Sequence, residues 1–297
     1  MSLIKEYNVN SNKPAQEDEL LDKLHQNYDT SHRDIIKICP SCKSEKYKFA
    51  FDKYNFHYVQ CSDCMSLYVQ NILSKDKQDE YENTMYDDFY SRNEYKEYLT
   101  LLADKISFEL ELTFSRLFSK KEKLDVAYFG NKNDVYEQGL KNFNAEFNIS
   151  KNLKNKQYNL IIIDHVIEKS IDLDELMKKM HSLLTHDGFL YITMRVGSGI
   201  DILTLWEDSK VYPLEHNKLL SIDGIKILLK NNKFTVKELN TPGVLDIDNI
   251  LKTKSENIPK FLTYLKHGNN SKVIDEFQVF VQKNLLSSFA TVIVQKD

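Results

Sequence analysis

Four cysteines are the residues of this sequence whose type and spacing most clearly imply chemistry. Cys39 and Cys42 form one C-x2-C pair, Cys61 and Cys64 form a second, and 18 residues separate the two pairs. Each pair can hold one metal ion from a tight turn, and two pairs supply the four thiolates of a tetrahedral zinc site. Because four protein ligands leave no open coordination position, the spacing predicts a structural Zn²⁺ rather than a catalytic one.

Two other interpretations of these cysteines remain open, namely four reduced thiols buried in a core or a redox centre. Between the pairs, residues 47–51 and 56–60 are rich in aromatic residues and predict a hairpin, and residues 67–69 predict a third strand. Together these features predict a zinc ribbon over residues 35–73, in which metal binding contributes to folding. We expect loss of two ligands to unfold the ribbon and to leave the rest of the chain folded.

The composition is that of a globular protein and limits its partners. The 297 residues include 40 Lys and Arg against 44 Asp and Glu, a net charge of −4, and 41% are hydrophobic. This balance gives no electrostatic basis for nucleic acid or an anionic membrane as the main partner. No stretch approaches the roughly 20 apolar residues of a transmembrane helix, and the first residues do not resemble a signal peptide. We therefore expect a cytoplasmic protein.

Alternating strands and helices predict an α/β fold for the second part of the chain. Apolar runs predict strands at 124–129, 143–149, 159–163, 189–194, 234–239 and 289–294. Helical periodicity predicts helices at 132–141, 172–184, 222–231 and, as an insertion, 246–286. The predicted units are an N-terminal helical extension (1–34), the zinc ribbon (35–73), a helical linker (74–119) and an α/β domain (120–297).

Polar residues follow two of the predicted strands at the point where each strand ends. Asp164, His165 and Glu168 follow one strand, and Ser198 and Asp201 follow the next. Because ligands bind outside the carboxyl ends of the strands in an open parallel sheet, these residues should line one cleft. Helix capping and solvated loop charge are alternative interpretations of the acidic residues, and packing in a turn is an alternative for the histidine.

Six segments together resemble the class I S-adenosylmethionine-dependent methyltransferases, and more narrowly the bacterial enzymes that methylate nucleotide sugars or surface-glycan precursors. The segments are Tyr158–Glu168, Leu183–Thr193, Gly197–Asp201, Tyr212–His216, Asn232–Val236 and Thr241–Asp246. Many enzymes of the narrower group carry an N-terminal cysteine-knuckle domain, so the resemblance covers most of the chain. It implies a Rossmann-like methyltransferase sheet, S-adenosylmethionine as cofactor and a small sugar or nucleotide-sugar as substrate.

The resemblance also implies roles for individual residues of this sequence. The residues that it assigns to the cofactor are Asp125, Gly130, Glu146 and Asp164. The residues that it assigns to the substrate are Ser198, Asp201 and Glu215. A general base for a sugar hydroxyl or amine would be His165 or His216.

The sequence departs from the family where the cofactor should bind. The first strand of the family ends in Asp-x-Gly-x-Gly-x-Gly, whose glycines let the backbone approach the cofactor. Here Ala127, Phe129 and Asn131 occupy the three glycine positions. Residues 150–158 are also too few for the helix and strand that the family places there, so we expect a partly truncated sheet. Lys169 stands where the family has a histidine.

Two functions follow from these features. One is an active methyltransferase with an unusual cofactor cleft. The other is a catalytically degenerate methyltransferase-like protein that binds a ligand or acts as a scaffold partner of a glycan-pathway enzyme. In the second case the ribbon would be the contact surface, and in either case the chain could form a homo-oligomer.

Overall fold

The computed structural model describes the chain in eight stretches. These are residues 21–26, 28–82, 107–130, 135–149, 153–154, 156–254, 258–267 and 270–297. Residues 1–20 of the predicted N-terminal extension and residues 83–106 of the predicted linker lie outside the described residues.

The described residues before residue 83 form short helices and strands. The helices are α1 (21–26) and α2 (Lys75–Tyr81). The strands are β1 (Arg33–Ile35), β2 (Tyr47–Lys53), β3 (Phe56–Cys61), β4 (Leu67–Val69) and β5 (Asn71–Leu73). The predicted hairpin and third strand are confirmed, because β2 and β3 pair in antiparallel orientation and β3 pairs with β4.

The described residues from 107 onward alternate between strands and helices. The strands are β6 (Lys123–Phe129), β7 (Asn144–Ile149), β8 (Tyr158–Asp164), β9 (Leu184–Arg195), β10 (Lys218–Leu219), β11 (Phe234–Asn240) and β12 (Phe289–Lys296). The helices are α3 (107–117), α4 (Val135–Gly139), α5 (Leu173–Leu183), α6 (Ile200–Leu205), α7 (Ile222–Asn231), α8 (Asp246–Lys252), α9 (Lys260–His267) and α10 (Ser271–Lys283). Every predicted strand of this part is present, and α7 has the predicted bounds.

Six strands form the main sheet, in the order β11-β12-β9-β8-β6-β7. The pairs β7–β6, β6–β8 and β8–β9 are parallel, whereas β12 is antiparallel to both β9 and β11. Strand β8 lies inside the sheet because its apolar run, Leu160 to Ile163, is buried on both faces. This arrangement confirms the predicted α/β fold with a Rossmann-like sheet.

Helices cover both faces of the main sheet. On one face, α5 and α7 pack apolar side chains such as Met180 and Leu228 against the strands. On the other face, α3 and α4 contribute Phe114 and Val135. The carboxylate of Asp172 accepts hydrogen bonds from backbone N–H groups at the start of α5, as N-cap residues do. No described helix is long and apolar enough to cross a membrane.

The main sheet ends at β7, which forms one edge. Strand β7 ends at Ile149 and β8 begins at Tyr158, and the residues described between them contain no strand. A crossover to a further parallel strand needs about a dozen residues or more. The short interval therefore explains why the described sheet has no strand beyond β7. This agrees with the partly truncated sheet predicted from the sequence.

The ribbon is built into the α/β part of the chain. Its sheet has the order β10-β4-β3-β2, so one of its strands comes from the segment between α6 and α7. The hydroxyl of Tyr58 donates a hydrogen bond to the His216 carbonyl oxygen (3.0 Å), and the indole N–H of Trp206 donates to the Ala50 carbonyl oxygen (3.0 Å). Strands β1 and β5, which precede β2 and follow β4 in the sequence, form a separate antiparallel pair.

The predicted helical insertion forms α8, α9 and α10, which share an apolar core with α6. Asp246, the first residue of α8, is buried. Its carboxylate accepts hydrogen bonds from the Ser287 hydroxyl (2.7 Å), the Ser288 backbone N–H (2.7 Å) and the Gln278 amide (2.8 Å). Asp246 thereby holds the start of β12 against the insertion.

Truncation of a β8 side chain should destabilise the whole α/β part. Ile161 is fully buried in the core between β8 and the helices, so Ile161→Ala should lower the free energy of unfolding by about 2–5 kcal/mol, measured by urea denaturation. The control is Leu203→Ala on α6, where the side chain is 47% exposed and the loss should stay within about 0.5 kcal/mol. Equal losses in the two variants would contradict the position of β8 inside the sheet.

Candidate active site and metal centre

Asp164, which is partly buried, ends β8 at the carboxyl edge of the main sheet. Its carboxylate accepts hydrogen bonds from the hydroxyls of Tyr136 (2.7 Å), Tyr128 (3.1 Å) and Thr193. Burial and the charge of Asp164 raise the pKa of Tyr136 well above its ordinary value, so this hydroxyl keeps its proton and remains a donor. The carboxylate that the resemblance assigns to the cofactor therefore already has three partners within the protein.

Gly130, a second predicted cofactor residue, directly follows β6 and contacts the end of β8. Its φ of +153° lies in the region that favours glycine. A Cβ atom here would lie 2.8 Å from the Asp164 carbonyl oxygen and 2.9 Å from the Tyr128 hydroxyl oxygen. Glycine is therefore required for the packing of β6 against β8, and protein atoms occupy the space that a side chain would take.

His165 and Glu168 form a hydrogen-bonded pair directly after β8. His165 Nδ1 lies 2.7 Å from Glu168 Oε1, which also accepts a hydrogen bond from the Arg195 backbone N–H at 2.6 Å. Glu168 is 1% exposed, whereas the side chain of His165 is 39% exposed. In the part of the chain that the structure describes, Glu168 Oε2 is buried without a partner. A carboxylate that holds Nδ1–H leaves Nε2 as the nitrogen that can accept a proton from a ligand.

The surroundings of His165 favour its charged form. Burial alone would lower the pKa of the imidazole, but the nearby carboxylates of Glu168 and Asp164 outweigh burial, and the pKa is raised. The backbone of His165 has a φ of +53°, a left-handed conformation that residues other than glycine adopt rarely. His165 therefore combines an orienting partner with access to solvent, and its neutral form, which predominates above the raised pKa, is the form that can act as a general base.

His216, the other predicted base, is held differently. Its Nδ1 accepts a hydrogen bond from the Tyr212 backbone N–H at 3.1 Å. Burial, together with the positive charges of Arg195 and His165, lowers the pKa of His216 well below its ordinary value. The ring is therefore neutral near pH 7 and carries its proton on Nε2, so neither nitrogen is left to accept a proton from a ligand.

Glu215, a predicted substrate residue, is buried in an ion pair. Its Oε2 lies 2.9 Å from Lys169 Nζ, and its Oε1 accepts a hydrogen bond from the Tyr81 hydroxyl at 2.5 Å. Lys169 is thus a partner of Glu215. The contacts tie α2 and the turn after β8 to the loop that carries Glu215.

The other two predicted substrate residues also have partners within the chain. Asp201 is buried, its Oδ2 lies 3.3 Å from Arg195 Nη2, and the same oxygen accepts a hydrogen bond from the Asn249 amide at 3.1 Å. Ser198 Oγ accepts a hydrogen bond from the Ile222 backbone N–H at 3.3 Å. Ser198 therefore fixes the loop after β9 to α7, and Asp201 fixes the start of α6 to α8.

Asp125 and Glu146, the remaining predicted cofactor residues, lie toward the amino ends of β6 and β7. They are direct neighbours in the strand register, and Lys156 Nζ lies 2.6 Å from Asp125 and 3.3 Å from Glu146. Hydrogen bonds from Lys154 and Lys156 lower the pKa of Glu146 to about 2. Four residues of extended strand, about 13 Å, separate Asp125 from Phe129, so the structure does not bring these two acids to the carboxyl edge.

The four predicted zinc ligands come together in one cluster. Their Sγ atoms all lie within 4.8 Å of one another, with 3.6 Å between Cys39 and Cys64 and 3.5 Å between Cys42 and Cys61. Zn–S bonds of about 2.3 Å in a tetrahedron place the sulfur atoms about 3.8 Å apart. The observed spacing therefore suits a Zn²⁺ ion between the two cysteine turns.

The chemistry of the cysteine cluster also suits a cation. The hydrogen bond with Cys64, together with burial, raises the pKa of Cys39, so four adjacent thiolates need a positive charge among them. The hydroxyl of Tyr68 is buried beside the cysteines and has no partner among the described residues. The set of four closely spaced sulfur donors therefore fits a bound metal.

Several residues at the carboxyl edge were not found by sequence reasoning. Tyr128, Tyr136 and Thr193 surround Asp164, yet they come from three different elements that only strand pairing brings together. One signal could have identified Thr193, because it lies near the end of a predicted strand, directly opposite Asp164 in the parallel register. The tyrosines carry no comparable signal, since aromatic residues in such positions usually belong to the core.

Comparison with protein-family models and with curated protein sequences gives no match. Similar solved structures include a cyclopropane synthase from Mycobacterium tuberculosis, with a TM-score of 0.38 and 8% identity over 63% of this chain and 83% of that one. A plantazolicin methyltransferase in complex with SAH has a TM-score of 0.39 and 15% identity over 75% of this chain and 98% of that one. Phosphoethanolamine N-methyltransferase 2 of Haemonchus contortus, in complex with S-adenosyl-L-methionine, has a TM-score of 0.44 and 13% identity over 71% of this chain and 60% of that one.

The pair of His165 and Glu168 should give the fold a pH-dependent contribution to stability. Because the pKa of His165 is raised in the folded chain, the contribution is complete below about pH 6.5, the ordinary pKa of histidine. It is lost as the pH rises through the raised pKa. Glu168→Gln should lower the pKa of His165 in an NMR titration and reduce the change of Tm with pH.

The control for this titration is Glu175→Gln, which removes an exposed carboxylate at the start of α5. It should leave both the pKa of His165 and the pH dependence of Tm as they are in the unchanged protein. A pKa of His165 that does not move in Glu168→Gln would contradict the pairing.

The cysteine cluster should hold one Zn²⁺ per chain when the protein is purified without chelator, as measured by elemental analysis. Cys39→Ser should remove most of the zinc because it removes one of the four ligands. Ser62→Ala, a change at an exposed position in the second cysteine turn, should retain it. Less than about half a zinc per chain in the unchanged protein would rule out the metal centre.

Proposed function

We propose that this chain is an S-adenosylmethionine-dependent methyltransferase that acts on a hydroxyl or amine of a sugar or nucleotide-sugar in surface-glycan assembly. The observation that carries the proposal is the hydrogen-bonded pair of His165 and Glu168 at the carboxyl edge of the main sheet. The Rossmann-like sheet and the resemblance of the substrate-side segments to glycan methyltransferases add support.

In this proposal His165 is the general base. With its Nδ1–H donated to Glu168, His165 Nε2 accepts the proton that a sugar hydroxyl or amine must lose. Glu168 orients the ring and stabilises its protonated form, as buried carboxylates do in other carboxylate–histidine pairs. S-adenosylmethionine, when bound, would supply an activated methyl group, whose transfer depends mainly on proximity and alignment.

The described residues do not form the cofactor turn that the resemblance implies. Ala127 and Phe129, at two of the family's glycine positions, are buried in the core as part of β6. Asn131, at the third position, lies outside the described residues. Glu146 is paired with lysines toward the amino ends of the strands. The proposed roles of the described residues are therefore confined to proton transfer.

The three hydroxyl partners of Asp164 favour a second candidate function. The hydroxyls of Tyr128, Tyr136 and Thr193 already use the carboxylate that the resemblance assigns to the cofactor. Without cofactor binding, the chain would be a degenerate methyltransferase-like protein that binds a sugar ligand or acts as a scaffold partner of a glycan-pathway enzyme. The ribbon would then be its contact surface.

In either function, the proposed role of Zn²⁺ is structural. All four ligands are protein thiolates, so the ion has no open position for a substrate. When bound, it would hold the two cysteine turns together, and no reaction step involves it.

Isothermal titration of the full chain with S-adenosylmethionine and S-adenosylhomocysteine separates the two functions. An active methyltransferase should bind both with a Kd below about 1 mM, a binding free energy stronger than roughly −4 kcal/mol. Weaker binding would overturn the methyltransferase proposal and favour the function without cofactor.

The same protein also allows a test of the proposed base. His165→Gln should slow transfer of a labelled methyl group to nucleotide sugars by about 10²–10⁴-fold and leave the Kd of S-adenosylhomocysteine unchanged. The control is His57→Gln, at an exposed histidine of the ribbon, which should change neither quantity. An unchanged transfer rate in His165→Gln would remove this residue from the mechanism.

A further inference from the structure

Helix α7 begins directly against the two cysteine turns. Ser221 caps α7: its Oγ accepts the Gly224 backbone N–H at 2.9 Å and donates to the Cys64 carbonyl oxygen. Its backbone N–H donates to Ser66 Oγ at 3.1 Å. From the other cysteine turn, Ser41 Oγ donates to the Gly224 carbonyl oxygen at 2.5 Å. Both turns that would hold the metal are therefore hydrogen-bonded to the first turn of one helix.

Gly224 shows how closely the ribbon and α7 approach each other. A Cβ atom at this position would lie 2.2 Å from Ser66 Oγ and 3.2 Å from Ser41 Oγ. Glycine is a poor helix former, so helix stability does not explain its presence in α7. The close contact with the ribbon does.

Ser66 lies between the metal centre and the start of α7. It is fully buried, its Oγ lies 3.2 Å from Cys64 Sγ, and it accepts a hydrogen bond from the Ser221 backbone N–H. In a metal-bound centre Cys64 is a thiolate without a proton, so the Ser66 hydroxyl is the donor in this contact. One hydroxyl then donates to a ligand sulfur and accepts from the first turn of α7.

We propose that Ser66 is a positioning residue that couples the metal centre to the α/β part of the chain, so that metal binding stabilises α7 as well as the ribbon. The proposal rests on the proposed zinc centre. Hydrogen bonds from surrounding residues to metal ligands strengthen metal binding. An ion that binds only the folded chain stabilises every part whose folding is coupled to the site.

Two further contacts extend the coupling beyond Ser66. Strand β10 pairs with β4, so the ribbon sheet contains a strand from the segment that leads into α7. Ile227 of α7 packs against the cluster of buried cysteines. The sequence alone predicts a ribbon that unfolds by itself, whereas these contacts make the ribbon and α7 one cooperative unit.

The coupling can be tested by measuring metal binding to the full chain that carries Ser66→Ala. With Co²⁺ as probe, thiolate-to-metal absorption should show a four-cysteine site, and Ser66→Ala should weaken Co²⁺ binding by about 10–100-fold. The rise in Tm on metal addition should also be smaller than in the unchanged protein. Ser62→Ala, on an exposed hydroxyl two residues before Cys64, is the matched control and should behave like the unchanged protein.

The outcomes separate the two proposals. Absence of thiolate-to-metal absorption in the unchanged protein would overturn the zinc centre, and the coupling with it. Normal absorption together with equal Co²⁺ affinity in Ser66→Ala and Ser62→Ala would overturn the coupling alone.

Hydrogen exchange of the unchanged protein provides a test that needs no variant. Removal of metal by chelator should lower the protection of the α7 amides together with that of β3 and β4. If the ribbon amides lose protection while α7 keeps it, the ribbon opens by itself and the proposal is wrong.

Discussion

The parallel pairing of β8 between β6 and β9 is the constraint on which the candidate active site depends. Because the three strands run in the same direction, Gly130, Asp164 and Thr193 meet at one edge, and Asp164 lies directly opposite Thr193 in the register. The close approach at Gly130 is possible only without a side chain. The same pairing carries His165 and Glu168 just past the edge, where Glu168 reaches the backbone of β9.

The two carboxylates at this edge lie four residues apart and have different partners. Asp164 has three neutral hydroxyl donors, whereas Glu168 has an imidazole, a backbone N–H and one buried oxygen without a described partner. The three donors to Asp164 are neutral. Of the donors to Glu168, only His165 can carry a full positive charge, and it does so when it is protonated. The buried charge of Glu168 needs a compensating partner. Glu168, and to a lesser extent Asp164, therefore favour the charged imidazole, which explains the direction of the pKa shift of His165.

Features that depend on local pattern could be predicted from the sequence, and features that depend on distant pairing could not. The apolar run of β8, the period of α7 and the cysteine spacing each specify their structure within a short segment. By contrast, Lys218–Leu219 forms a strand of only two residues, and nothing in it indicates pairing with β4. The ion pair of Lys169 with Glu215 could not be predicted from the sequence either, because the charge of a lysine does not specify which acidic residue it will contact.

The position predicted for the cofactor turn depended on where β6 ends. The resemblance matched Asp125 to the aspartate that opens the turn, but β6 stays apolar and paired as far as Phe129, so its end lies four residues further on. Ala127 and Phe129 then belong to the core, where glycine would leave cavities. Glycine occurs where another segment approaches closely, as at Gly199, where an added Cβ atom would lie 2.3 Å from the Cβ atom of Ser288. Because β6 is paired to its end, Ala127 and Phe129 are core positions, and the segment does not form the glycine turn that the resemblance implies.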